Sequence, residues 1–239
     1  MDADLYALLE AAEAARHATR GAFDVRVGPL VTVWSEAAGL GQAPDAQVLE
    51  AARQRAAQPV VLGSDALVRL AAGGSIDLGG IAKGFALDRV GRDPALRARA
   101  ALFNFGRSSI RASGQDFRLR VEDDAGAALG VVTLRDRALS MSSSLSQSSV
   151  IGGVRYGHVI DPRSGEPIRE RRTALVVAGS ATAAEVLSTA LLVLDESEAR
   201  AVLSEQRAEA WVLREDGGDW QTPGWRAATD WIPAARSRG

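Results

Sequence analysis

Apolar side chains at Leu5, Leu8, Leu9, Ala12 and Ala15 recur at helical spacing, which predicts an amphipathic helix over residues 3–20, ended by Gly21. Residues 24–34 carry a mixed pattern that can continue as helix after Gly28-Pro29, because a first turn tolerates proline. Gly39 to Pro44 reads as loop, and Pro44-Asp45 opens a short helix reaching about Ala57. Val60–Leu62 and Leu67–Leu70 follow as a pair of strands. Ile76–Leu78 then reads as a short apolar strand, Gly79-Gly80 as a turn, and the next stretch as a helix with apolar residues at positions 82, 85, 86 and 90.

From residue 99 onward the texture changes to strands, at 100–105, 110–113, 117–122 and 129–134, separated by Gly114 and the Asp123–Gly126 turn. Residues 138–149 hold seven serines within ten positions and, on composition, read as a flexible segment. Val154–Ile160 is a strand closed by Asp161-Pro162-Arg163-Ser164-Gly165. Thr173–Ala178 is a buried strand, 182–194 a helix and 196–206 a second helical stretch. Glu209–Arg214 and Trp220-Gln221 form a hairpin through Asp216-Gly217-Gly218. Four of the five tryptophans fall at 211–231, a clustering that suits the edge of a core rather than a base or sugar site. The layout predicts an α/β (α+β) protein: a single compact domain over residues 1–239, with a mixed, largely antiparallel sheet covered by helices. No linker or internal repeat divides it.

Composition narrows the function classes. Hydrophobic residues make up 46% and charged residues 24%, the balance of a globular protein with ample core. The net charge of −2 gives no electrostatic basis for a nucleic-acid or anionic-membrane partner. With no cysteine, disulfides and thiolate chemistry are excluded. No window approaches 18 consecutive apolar residues, so no membrane span is expected. The start, Met1-Asp2-Ala3-Asp4-Leu5, lacks a basic flank and a long apolar run, so the chain as given is expected to be cytoplasmic, or exported if a leader has been removed.

Three places carry candidate chemistry. Passing from Leu78 through Gly79-Gly80 into a helix start aims backbone N–H groups and the positive helix end at one spot, which suits a phosphate. Lys83 stands in that first turn, where acidic side chains are preferred, and an anion held there removes the conflict. The same residues also make an ordinary glycine turn with a solvated lysine. Glu185 and Thr189 are four apart, on one helix face and close enough to share an ion. Thr182-Ala183-Ala184-Glu185 has capping-box spacing too, which would commit the glutamate to the helix start. A proline-directed turn accounts for Asp161, Pro162 and Gly165 but not for His158, which is either structural or a proton shuttle. His17, near the end of the first helix, suits the helix dipole and is assigned no chemistry.

Five segments in order resemble the ApbE family of FAD:protein FMN transferases. They are Phe23–Val31, Asp77-Leu78-Gly79-Gly80-Ile81-Ala82-Lys83-Gly84, Phe103-Asn104-Phe105-Gly106, His158–Gly165 and Glu185–Ala190, and together the likeness spans residues 21 to about 215. The resemblance implies a single compact α/β domain and a magnesium-dependent transfer of FMN from FAD. An acceptor flavoprotein's serine or threonine hydroxyl attacks the FMN-side phosphorus, and AMP departs. It implies His158 and Glu185 as catalytic residues, and the Ala82 carbonyl, Glu185 carboxylate and Thr189 hydroxyl as metal ligands. It implies cofactor contacts at Asp77, Gly79, Gly80, Lys83, Asn104, Gly106, Ser142, Ile160 and Asp161.

The chain also departs from the family. Glu185 stands where the family has aspartate, Arg107 replaces a second glycine, and the serine stretch replaces a Thr-Ser-Gly loop. A longer carboxylate is displaced by ~1 Å, which magnesium tolerates poorly. The family's early Met-Gly-Thr strand has no counterpart before Phe23, which predicts an open sheet edge completed by a partner chain or a second copy. The resemblance therefore supports an active transferase, with two alternatives: a catalytically impaired flavin- or partner-binding relative, or a relative acting on another small substrate.

Overall fold

The structure, a computed structural model, describes residues 2–63, 66–97, 99–106 and 108–234. Arg107 therefore lies outside the described residues. Helix α1 (Ala3–Ala18) starts at Asp2, whose carboxylate accepts from the Asp4 and Leu5 N–H groups, and it buries Leu8, Leu9 and Ala12. A 3₁₀ turn (Val25–Val27) leads into α2 (Gly28–Leu40), with Pro29 in its first turn, and Gly41 closes α2 in the left-handed region at φ 66°. Asp45 caps α3 (Ala46–Ala56) as the sequence predicts, and the short strands β1 (Val61–Leu62) and β2 (Val68–Arg69) pair antiparallel.

Ile76–Leu78 is not a strand. The Asp77 N–H donates to Val25 O at 2.7 Å, but the Asp77 carboxylate then takes the Gly79 N–H at 2.7 Å, and this Asx turn ends any ladder. Helix α4 (Ala82–Val90) follows, then α5 (Pro94–Arg97). The apolar stripe expected on α4 is displaced: Val90 is exposed, and the buried positions are Gly84, Leu87 and Asp88.

The remaining chain builds β3 (Ala101–Phe105), β4 (Ser109–Ser113), β5 (Phe117–Glu122), β6 (Ala128–Leu134), β7 (Ala138–Ser143), β8 (Ser148–Ile151), β9 (Val154–Gly157) and β10 (Arg172–Ala178). Helices α6 (Ala181–Ala190) and α7 (Glu196–Glu205) precede β11 (Glu209–Arg214), β12 (Trp220–Gln221), α8 (Trp225–Thr229) and β13 (Ile232–Pro233). A six-stranded sheet runs β12-β11-β10-β7-β4-β3, a three-stranded sheet runs β13-β6-β5, and every pairing is antiparallel. The serine stretch is thus ordered: β7 lies inside the large sheet, between β10 and β4. Pairing on both sides outweighs its weak strand composition. The strand expected over Val154–Ile160 stops at Gly157, where a side chain would lie 2.2 Å from Ser144 O.

Strand β10 shows how the layers form. Ala174, Val176 and Ala178 face a core shared with α6 and α7, while Leu175 and Val177 face a second core closed by the three-stranded sheet. Trp225 is fully buried in that second core, with Trp231 beside it and Trp211 packed alongside. A third core joins α2 and α3 to Ile151, Tyr156 and Ile160. Strand β3 is an edge of the large sheet and exposes Leu102 and Phe105. Among the described residues no helix is long and apolar enough to cross a membrane.

Candidate active site

A cavity of about 490 Å³ opens between the start of α4, the α6 face, strand β7 and the turn after β9. That size lies within the roughly 300–1,000 Å³ usual for ligand sites. Asp77, Gly79, Gly80, Lys83, Ser142, His158, Ile160, Glu185 and Thr189 all line it, so segments more than 100 residues apart in the chain converge.

The convergence rests on a tight joint between α4 and α6. A Cβ on Gly84 would stand 2.4 Å from Ala181 O and 2.9 Å from Thr182 Cα, so only glycine lets the two backbones approach this closely. One helix turn on, buried Asp88 accepts from Ala181 N at 2.9 Å, Thr182 N at 2.9 Å and Thr182 Oγ1 at 2.6 Å. It thereby satisfies N–H groups that the α6 start leaves open, and Arg111 Nη1 supplies its counter-charge at 2.8 Å. Helix α6 is thus fixed against the glycine turn before any side chain reaches the cavity.

Glu185 does not form the capping box. Ser180 caps α6 by accepting from Ala183 N, and Thr182 is bound to Asp88 instead. The Glu185 carboxylate, with its side chain 3% exposed, crosses to α4: Oε2 accepts from Gly84 N, and Oε1 meets the Lys83 ammonium. Lys83 Nζ also donates to Gly79 O at 3.2 Å. The charge conflict of a lysine in the first turn of α4 is therefore met by a carboxylate of the same chain. Among the described residues the ammonium is the one partner of Oε1.

Thr189 lies one turn beyond Glu185. Its Oγ1 donates to Glu185 O at 3.1 Å, and a Cβ on Gly80 would sit 3.3 Å from it. A row of hydroxyls runs from there along β7: Thr189 Oγ1 to Ser142 Oγ at 3.5 Å, Ser142 to Ser188 at 2.8 Å, and Ser188 to Ser140 at 3.1 Å. Among the described residues no group of three or more His, Asp or Glu is placed to hold a metal ion. What the wall offers is one buried carboxylate oxygen, held by the Lys83 ammonium, and one hydroxyl. That set fits a hard cation which takes its other oxygens from water and from substrate phosphate.

On the opposite wall His158 is exposed, and its backbone N–H donates to Gln147 O at 3.0 Å. Nδ1 lies 3.1 Å from the same carbonyl, which can only accept, so Nδ1 carries a proton and Nε2 is the ring nitrogen left for a bound molecule. The turn behind it is closed by Gly165 N donating to Asp161 O at 2.8 Å, with Gly165 at φ 76°. Asp161 accepts from Arg163 N at 2.9 Å and pairs with its guanidinium, which also reaches Glu198. Partial burial alone would lower the Arg163 pKa, but the hydrogen bonds and charges of Asp161 and Glu198 hold it above its ordinary value.

The other sequence-derived positions lie apart. Asn104 lines an adjoining hollow of about 170 Å³, which shares Ser108 and Met141 with the main cavity. Gly106, at φ 68° with open space around it, Ala82 and Asp161 are not among the residues lining the main cavity. Several lining groups escape the sequence reading: Phe23, Asp24, Gln147, and Asp123 with Asp124 from the β5–β6 turn. Phe23 and Asp24 lie within the Phe23–Val31 segment that resembles the family, which signals the region but not their place in the cavity. The hairpin aspartates carry only a turn signal, and nothing in the sequence places that turn at a cavity mouth.

The profile of the ApbE family matches residues 1–212. An FAD:protein FMN transferase of Treponema pallidum is 31% identical over 232 residues, covering 86% of this chain and 64% of that protein. One from Klebsiella pneumoniae is 27% identical over 227 residues, covering 85% of this chain and 63% of that protein. The crystal structure of the Thermotoga maritima ApbE protein superposes with a TM-score of 0.82 at 28% identity, covering 95% of this chain and 78% of that one. The chain thus spans just under two thirds of the length of those two transferases.

Proposed function

Because the chain belongs to the ApbE family, we propose that residues 1–239 act as one domain that transfers FMN from FAD to a serine or threonine hydroxyl of an acceptor protein, releasing AMP with the help of magnesium. The observation that carries this reading is the meeting of the Gly79-Gly80 turn, Lys83, His158, Glu185 and Thr189 around one cavity. In this reading the start of α4 receives the diphosphate, with the helix dipole and Lys83 opposing its negative charge. The acceptor hydroxyl attacks the FMN-side phosphorus, its proton passes to the free Nε2 of His158, and the bond to the AMP oxygen breaks. A magnesium ion held by Glu185 and Thr189 would supply charge compensation on the phosphoryl oxygens.

The direct test is intact-mass measurement of an acceptor domain incubated with the folded chain, saturating FAD and magnesium. The expected result is a gain of one FMN with matching AMP release; no gain in a folded sample overturns the reading. A second reading, flavin binding without transfer, is favoured by the hold that Lys83 and Gly84 already have on Glu185. A yellow complex that releases no AMP would select it.

A further inference from the structure

We propose that Lys83 is a displaceable internal counter-cation: it neutralises Glu185 until a divalent metal takes its place, and the freed ammonium then turns to the diphosphate. The inference rests on the reading above, in which a metal ion and FAD share this cavity.

The first support is compositional. Of the 28 basic residues in the chain, Lys83 is the sole lysine and the others are all arginine. Among the described residues arginine meets carboxylates both at the surface, as at Glu205, and in the interior, as at Asp88 and Asp24. Position 83 differs from all of these in carrying what arginine lacks, a compact point charge on a flexible stem that is held without a planar fork.

The second support is geometric. The ammonium touches Glu185 Oε1 and donates to Gly79 O, so it bridges the carboxylate and the glycine turn. Glu185 is 3% exposed, whereas Lys83 is 32% exposed and lines the cavity. One partner is fixed by its burial and by Gly84 N, and the other has a path outward. A buried carboxylate without a counter-charge is costly, so Glu185 requires a cation at all times. Oε1 is also the oxygen of that carboxylate whose one partner is the ammonium, since Oε2 is held by Gly84 N. A metal ion arriving at Oε1 meets the ammonium there, and two positive charges cannot share one oxygen in a half-buried site.

Displacement links the two ligands. Metal binding frees Lys83 beside the α4 start, where the diphosphate gains an opposing charge. A bound diphosphate, in turn, holds Lys83 away from Glu185 and opens the metal position. The two affinities therefore rise together, as reciprocal linkage requires.

Because the chain has one lysine, labelling with ¹³C-lysine yields one side-chain signal to follow by NMR in the chain of residues 1–239. The expected result is that magnesium moves the Lys83 Cε signal and that FAD added with magnesium moves it further. Calorimetric titration of magnesium provides the second readout. Without FAD, Lys83→Gln, which keeps a hydrogen-bond donor but no charge, is expected to bind magnesium about tenfold tighter than the wild type, within the range typical of site coupling. FAD should tighten magnesium binding less in that variant than in the wild type. Lys83→Arg is expected to weaken magnesium binding, since its fork engages the carboxylate with two donors. A Lys83 signal unmoved while calorimetry shows magnesium bound to the wild type overturns the proposal and leaves the transferase reading standing. If the folded wild type takes up no magnesium with or without FAD, both fall.

Discussion

The two walls of the cavity are built on different principles. On the α4–α6 side, position is set by buried backbone contact at Gly84 and by Asp88, a charged cap with four partners. On the His158 side, an exposed imidazole is carried on a tight turn whose charged contacts, from Arg163 to Asp161 and Glu198, lie at the surface. Surface pairs of that kind contribute little, about 0–1 kcal/mol each. The first wall couples the geometry of the site to the stability of the fold, and the second separates them. Changes on the first wall should therefore register in melting temperature, and changes at His158 in rate alone.

Four substitutions sharpen or break that contrast. Asp88→Ala strands the Arg111 charge and two N–H groups at the α6 start. It is expected to cost ~3 kcal/mol, a fall of roughly 6–12 °C in a calorimetric melt for a chain of this size. A fall under about 1 °C would remove Asp88 from its positioning role. Gly84→Ala gives a diagnostic sign: in an ordinary helix interior the change gains ~1 kcal/mol, whereas overpacking against the Ala181 backbone predicts a loss of ~2 kcal/mol. A stabilised variant would refute the close approach. Gly165→Ala combines a φ of 76° with a Cβ 2.9 Å from Arg53 Cγ, and should cost ~1 kcal/mol in chemical denaturation. Unchanged denaturation would show that the turn relaxes freely. His158→Ala should leave stability within ~0.5 kcal/mol while slowing flavin transfer ~100-fold. A joint loss of rate and stability would erase the difference between the walls.

Much of this arrangement is legible in the sequence, and what is hidden has definite causes. Helix starts at Asp2 and Asp45, the strand pairs from β3 to β6, and the β11–β12 hairpin follow from caps, alternation and turns. The cavity residues at 77–83, 158–160 and 185–189 were identifiable as segments, since each carries a short recognisable pattern. The buried face of α4 was legible only in part, because beside Leu87 it consists of Gly84 and of Asp88, which caps α6, and hydrophobic periodicity is blind to both. Composition likewise misled on β7: its serines are polar in isolation, but alternate ones meet hydroxyl partners on α6. The fate of Glu185 depended on which residue capped α6. The spacing pointed to Thr182, but Asp88, more than 90 residues earlier in the chain, takes the Thr182 hydroxyl and Ser180 is the cap.

The hydroxyl row from Thr189 to Ser140 has a consequence for how the cavity answers a change of charge. Thr189 Oγ1 gives its one proton to Glu185 O, and Ser188 Oγ gives its own to Ser140 or Glu185 O. Ser142, 2.8 Å from Ser188 and 3.5 Å from Thr189, is the hydroxyl of the row whose proton can turn to either neighbour. That turn takes only a rotation about one C–O bond, which is fast beside any movement of α6. A dipole on the cavity wall can thus be re-aimed while the helix beside it keeps its seat.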